Sequence, residues 1–289
     1  MTQKLVGGYY CKIRRGLEFC LSIDMQLLRK VVSVLLIWAF VIAPCSAQQA
    51  APDEKGLWDI WQCQTNKPDD HVAAIEACKE FRTKSPKDPL VTVAIGLEAW
   101  HLLKDGKTNE AIKIFEPMIP LVGDSIQKAG SDMACGWLSR IDREKLVDAL
   151  TKVYLKEIEF PLSLTSIKPI PGKPPLQVLD RWNQAWIYQA EKRANIPRQG
   201  YSLQSKHLGG LSDLNAALAI PYADRVSLIP VRIMPGSTDK VTIEFMLPTQ
   251  KTVYLQAGTV SDGIVVAYVG ARIVVISDGT HWKVAAKPR

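Results

Sequence analysis

The residues whose types and order could support covalent chemistry are a serine and, far from it, an aspartate and a histidine. Ser125 stands in Gly123-Asp124-Ser125-Ile126, and Asp278-Gly279-Thr280-His281 lies near the end of the 289-residue chain. A serine hydroxyl becomes a nucleophile when a histidine takes its proton and a carboxylate orients that histidine, so Ser125, His281 and Asp278 would together suit acyl transfer. The other sequence patterns for chemistry are absent: no H-E-x-x-H, G-x-S-x-G, phosphate-binding loop or G-x-G-x-x-G occurs. The four histidines, His71, His101, His207 and His281, are scattered, and no C-x-x-C occurs, so neither a metal nor another cofactor is expected.

The two blocks resemble the nucleophile and D-x-x-H blocks of GDSL-type (SGNH) esterases, which implies a secreted esterase using Ser125, Asp278 and His281. Such an enzyme needs its serine at the end of a buried parallel strand and further glycine and asparagine donors for the oxyanion. The residues before Gly123, "AIKIFEPMIP", instead read as a helix end closed by prolines, and no G-x-N-D block occurs. Asp124 or Ser125 is expected to cap the following helix, and Asp278-Gly279 to turn a hairpin. The primary expectation is therefore a non-enzymatic protein, with the esterase as the alternative.

The N-terminal segment points to a destination. Residues 25–47 begin with Arg29 and Lys30, continue as an apolar run from Val31 to Ala43, and end on Cys45-Ser46-Ala47. That is the layout of a secretory signal peptide cut after Ala47. Met25 by itself begins a full signal, so translation from either Met1 or Met25 fits. Pro44 stands where lipoprotein signals carry a small residue before the cysteine. The apolar run is shorter than the ~20 residues that cross a bilayer as a helix. No other run of that length follows, so no transmembrane segment is expected in the mature chain, and the destination is periplasmic or extracellular.

The net charge of +7 is concentrated in that leader. Residues 1–47 hold six basic and two acidic side chains, leaving 30 basic against 27 acidic in the remainder. A balance so near neutral gives no footing for a nucleic-acid partner. After cleavage three cysteines remain, Cys63, Cys78 and Cys135.

Residues 48–160 are expected to be helical, with apolar side chains at three- and four-residue spacing and breaks at "TNKPDD", "KSPKDP" and "KDGKTN". The stretch "AWHLLKDGKTNEAIKIFEPMI" resembles a tetratricopeptide repeat, with Ala99, Gly106, Ala111 and Phe115 at its small, turn, small and aromatic positions. Related positions recur at Trp58, Ala74 and Pro86, and at Ala149 and Pro161, so three hairpins are expected. The resemblance implies a protein or peptide partner held on a concave wall of first ("A") helices, for which Gln62, Glu98 and His101 are the candidate contacts. Cys63 and Cys78 should face each other across the first hairpin and form a disulfide, with Cys135 left as a buried thiol.

The proline-rich stretch 161–176 is expected to link two parts. Beyond it, Val178, Leu179, Trp182, Ala185, Trp186 and Ala190 share one stripe of an amphipathic helix within 177–220. A second short helix should be capped by Ser212 or Asp213. From 221 to 289, six β-branched, aromatic runs separated by tight turns predict a small antiparallel β-domain. The fold class is thus α+β, with two segments that each build a separate interior.

Overall fold

The computed structural model describes residues 51–168, 175–191, 197–220, 228–234 and 241–289. All of them fall in one compact unit, Ala51–Arg289. The leader lies outside the described residues, as do 169–174 of the proline-rich stretch. Among the described residues no helix is long and apolar enough to cross a membrane.

Helix α1 (Glu54–Asn66) starts at Asp53, whose carboxylate accepts from the Gly56 amide. Helix α2 (His71–Lys84) starts at Asp70, which accepts from Ala73. Each cap satisfies one of the amides that a first turn leaves without a helical partner. Helices α3 (Val91–Lys104) and α4 (Thr108–Phe115) are joined through Gly106, whose φ of +74° favours glycine. Two hairpins therefore follow the predicted punctuation.

The third does not form. Residues Ser125–Glu157 are one 33-residue helix, α5, capped by Asp124 and closed at Ile158 in the left-handed region. No proline or turn cluster interrupts it, and its internal glycines serve contact instead. A Cβ on Gly130 would collide with the Thr92 methyl, and one on Gly136 would stand 3.4 Å from the Gly279 carbonyl.

The helix expected over 177–190 is replaced by a turn and a strand. The Asp180 carboxylate accepts from the amides of Trp182 and Gln184, at 3.0 and 2.9 Å, and Asn183 takes a positive φ of 61°. An aspartate that bonds the next backbone amides competes directly with helix formation. The chain then runs as β1 (Ile187–Ala190), antiparallel to β2 (Tyr201–Gln204). This hairpin closes a cluster with Leu146, Leu150, Phe160 and Leu164, so both ends of the proline-rich stretch are packed rather than free. Arg181 donates to Asp142 at 2.6 Å and ties the turn to α5. Asp213 caps the short helix α6 (Leu214–Ala219), as predicted.

All six predicted C-terminal strands are present. They are β3 (Ile229–Ile233), β4 (Ile243–Met246), β5 (Thr252–Leu255), β7 (Ile264–Val269), β8 (Ile273–Ser277) and β9 (Trp282–Ala286), with a two-residue β6 (Val260–Ser261) before β7. They form two antiparallel sheets, β3-β4-β5 and β6-β7-β8-β9. The Asp262-Gly263 turn has positive φ at both residues, the geometry of a tight hairpin.

The expectation of two interiors is overturned by how these sheets are covered. One face of the larger sheet, through Ile264, Val266, Val274 and Ile276, packs on Ile243 and Phe245 of the smaller. Its other face, through Ala267, Ile273, Val275, Trp282 and Val284, joins the helical core of α1 to α5. Helices, four-stranded sheet and three-stranded sheet are thus three layers sharing their boundaries.

The contact falls on α1, α3 and α5, the helices a concave wall would use. Gly96 of α3 and Gly130 of α5 both lie against the Trp282 ring, Ser125 touches β7, and Glu54 of α1 reaches the β7–β8 turn. The Glu54 carboxylate accepts from the Tyr268 hydroxyl (2.9 Å) and from the Ala271 and Arg272 amides (2.7 and 2.5 Å). Burial pulls this carboxyl upward, but those hydrogen bonds outweigh it and hold its pKa below the ordinary value. Glu54→Ala should cost about 2 kcal/mol, because charged hydrogen bonds are lost and two amides are left facing the gap. Denaturant titration at neutral pH measures it; an unchanged midpoint would show that the clasp carries no stability.

Candidate functional site

The residues nominated from sequence divide sharply once placed. Glu98 and His101, expected on an open wall, are buried in the seam between α2 and α3, at 1% and 2% exposure. Gln62 is half-buried on α1, and it is Gln64, two residues on, that reaches His101. The His101 Nε2 lies 2.9 Å from Gln64 Oε1 and its Nδ1 lies 3.1 Å from His71 Nδ1. With a carbonyl oxygen at Nε2, that nitrogen carries the proton and Nδ1 accepts from His71. Trp100 packs edge-on to both rings.

Arg82 donates to Glu98 at 3.4 Å. Burial raises the Glu98 carboxyl and Arg82 opposes the shift. These polar groups fasten one hairpin to the next, with Gln64, Glu98 and His101 buried among them. Their partners are distant in sequence, which is why their burial was not foreseen.

The expected disulfide is not formed. Cys63 is a half-buried free thiol, while Cys78 turns fully into the core as another. Burial, then the neighbouring Glu98 and Cys63, push the Cys78 thiol up. Cys135 is buried, donates to the Arg181 carbonyl, and is pushed up to about 11 by burial, which makes it a poor nucleophile.

Ser125 occupies the first turn of α5, where its hydroxyl donates to the Ala267 carbonyl at 2.6 Å. Asp278 and His281 are together, Oδ2 to Nδ1 3.6 Å, with the fully buried His281 ring edge-on to Trp137 at 5.4 Å. Trp137 is twelve residues along α5 from Ser125. At 1.5 Å per residue that is about 18 Å of helix. The serine and the Asp278–His281 pair therefore share one core but not one site, and Ser125 acts as a fastener between α5 and β7. Ser125→Ala should leave any hydrolysis of a short-chain aryl ester unchanged while lowering stability by about 1 kcal/mol, read by ester assay and thermal melt. A selective loss of turnover would restore the nucleophile.

Among the described residues no group of three His, Cys, Asp or Glu side chains is arranged to hold a metal. A cleft of about 330 Å³ beside β2 is lined by Arg143, Tyr201, Ser212 and Asp213. Its guanidinium is already shared between Glu144 and Asp213, each at 3.4 Å.

On the outer face of β3-β4-β5 several apolar side chains are exposed among the described residues, although Glu244 at its centre is itself buried at 8% exposure. Along β4, Ile243 and Phe245 point into the core while Glu244 and Met246 point out, following the two-residue period of a strand. Glu244 pairs across to Arg232 on β3 and opposes Tyr254 on β5. Met246 opposes Ile229 and Thr252. A bulge between Pro230 and Arg232 turns Val231 and Arg232 both outward. Tyr254, Ile229, Val231 and Met246 are 54, 49, 45 and 36% exposed on this face.

Sequence reasoning predicted these strands but could not say which of their faces another layer would cover. Compared with protein-family models, curated proteins and solved structures, the chain matches none.

Proposed function

We propose that this is an exported, non-enzymatic protein-binding module that meets its partner on the outer face of β3-β4-β5. The observation that carries the reading is the grouping of Ile229, Val231, Met246 and Tyr254 around a central Arg232–Glu244 pair. Contiguous apolar surface with a polar element is the character of a protein contact, and a tyrosine at its margin is a common anchor. Two further features support it. The wall of α1, α3 and α5 is occupied by the chain's own sheet, so a peptide laid along those helices has no place. The Ser125 hydroxyl, the His281 ring and the Cys135 thiol are all engaged in internal contacts. The leader pattern at 25–47 supports export.

A photo-crosslinking residue introduced at Tyr254, in the cells that make the protein, tests this. A discrete crosslinked species is expected from the extracytoplasmic fraction, on a chain whose mass starts at Gln48. It should vanish with Met246→Asp and should not appear when the crosslinker replaces Glu80 on α2. No adduct at Tyr254, or equal adducts at both positions, would sink the proposal.

A further inference from the structure

We infer that the cleft beside β2 is a peptide-binding site, in which an extended basic segment of another protein adds as a strand to the free edge of the β1–β2 hairpin. It is separate from the face of β3-β4-β5 and stands or falls independently of it. The alternation of the hairpin ladder identifies the backbone groups on offer. The Glu191 amide donates to the Gly200 carbonyl at 2.9 Å, so this pair and every second pair after it, Gln189 with Ser202 and Ile187 with Gln204, are the hydrogen-bonded ones. Tyr201 and Leu203 therefore turn their backbone N–H and C=O groups away from β1.

The chain itself closes part of that outer edge. Arg143 Nε of α5 donates to the Leu203 carbonyl at 3.4 Å, and one step further the Ser205 amide donates to Ser212 Oγ at 3.3 Å. The Tyr201 N–H, the Tyr201 C=O and the Leu203 N–H are left with no partner among the described residues. Arg143 and Ser212, which hold the neighbouring edge groups, both line the cleft of about 330 Å³, so the unpaired run opens into it. Gly210 lines it too, and a Cβ there would meet nothing within 4 Å, which leaves room for an incoming backbone.

A donor, an acceptor and a donor in that order ask for an acceptor, a donor and an acceptor, which is what an extended backbone carries. A strand parallel to β2 meets all three. One of its carbonyls takes the Tyr201 N–H, and the residue two further on gives its N–H to the Tyr201 carbonyl and its own carbonyl to the Leu203 N–H. An antiparallel strand would also ask for the Leu203 carbonyl, which Arg143 holds. Main-chain bonds of this kind supply affinity for any extended segment, and side chains choose among segments. Here the choice is by charge. Arg143 is shared between Glu144 and Asp213, which leaves one negative charge in excess, and the Asp213 side chain is 45% exposed at the cleft. A lysine on the segment is favoured over an acid.

The test uses the mature chain and a fluorescent, end-blocked hexapeptide of threonine and valine with one lysine. Anisotropy should give a dissociation constant on the order of 100 μM, and hydrogen exchange should slow at the Tyr201 and Leu203 amides. The same peptide methylated on its backbone nitrogens should bind about tenfold more weakly or worse. Glutamate in place of lysine should weaken binding about threefold, and Asp213→Asn, which still caps α6, should erase that difference. Gly210→Trp should fill the cleft and abolish binding, circular dichroism confirming that the variant folds.

No binding up to millimolar peptide overturns the inference. So does equal binding of the methylated peptide, which needs no variant to be read, or binding that leaves exchange at Tyr201 and Leu203 unchanged.

Discussion

Trp282→Ala lowers the stability of the whole described fold by about 3–5 kcal/mol, the range for emptying a large aromatic site in a core. Trp282 is fully buried on β9, at the boundary between the four-stranded sheet and the helices. Its indole lies so near Gly96 of α3 that a Cβ there would stand 2.5 Å from Nε1, and it also meets Gly130 of α5. Two glycines in neighbouring helices thus make the slot, and their backbones cannot move inward far enough to fill it once the ring is gone. The consequence is a test of architecture as well as of stability. If helices and sheet share one interior, denaturant should melt the helical far-UV signal and the tertiary near-UV signal together, and the substitution should shift both midpoints equally. A variant in which the helical transition stays put would mean that the two layers fold independently.

That shared interior departs from the expectation of two separate cores, yet its signature is present in the sequence. The run Arg272 to Ser277 has no alternation: Ile273 to Ser277 are all buried. A strand apolar on both sides needs a layer on each side, as in sheets covered on two faces. One layer is β3-β4-β5 and the other is α1, α3 and α5. Gly96, Gly130 and Gly136 carried the matching message from the helices, since a glycine in mid-helix is costly unless something must approach it closely.

The legible elements were those with strong local rules. The caps at Asp124 and Asp213, the turn at Gly106 and six strands bounded by turn residues all follow from a few neighbouring side chains. The stretch 177–190 failed because a correct helical stripe competed with a stronger local bond, from Asp180 to the amides that follow. The outer face of β3-β4-β5 was half legible. Alternation in "TIEFM" shows that Glu244 and Met246 share a side. Only the three-dimensional stacking shows that Met246 is exposed on that side while Glu244 is buried.

Acidification should reveal the buried histidine seam. His101 is held neutral, its pKa lowered to about 3, first by burial and then by the neighbouring His71. His71 is lowered as well, first by burial and then by Lys104, with Asp105, Asp69 and Asp70 opposing. A histidine whose pKa is depressed on folding binds its proton more readily in the unfolded chain. Its stabilising contribution is therefore complete above about pH 6.5 and is lost as pH falls toward the folded value. One proton per molecule corresponds to about 1.4 kcal/mol per pH unit, so His101 alone should remove about 2–3 kcal/mol between pH 6.5 and 4.5.

Carboxyls held low in the fold, such as Glu54 and Asp278, lose their contribution only at more acid pH. Glu98, raised by burial, acts in the opposite sense as it takes up its proton. The comparison of wild type with His101→Phe isolates the ring. The variant should be less stable at pH 8, because Gln64 and His71 lose their partner, yet its stability should fall less steeply between pH 6.5 and 4.5. Denaturant midpoints at half-unit pH steps give both slopes. Parallel slopes would mean that His101 already carries its proton in the folded chain.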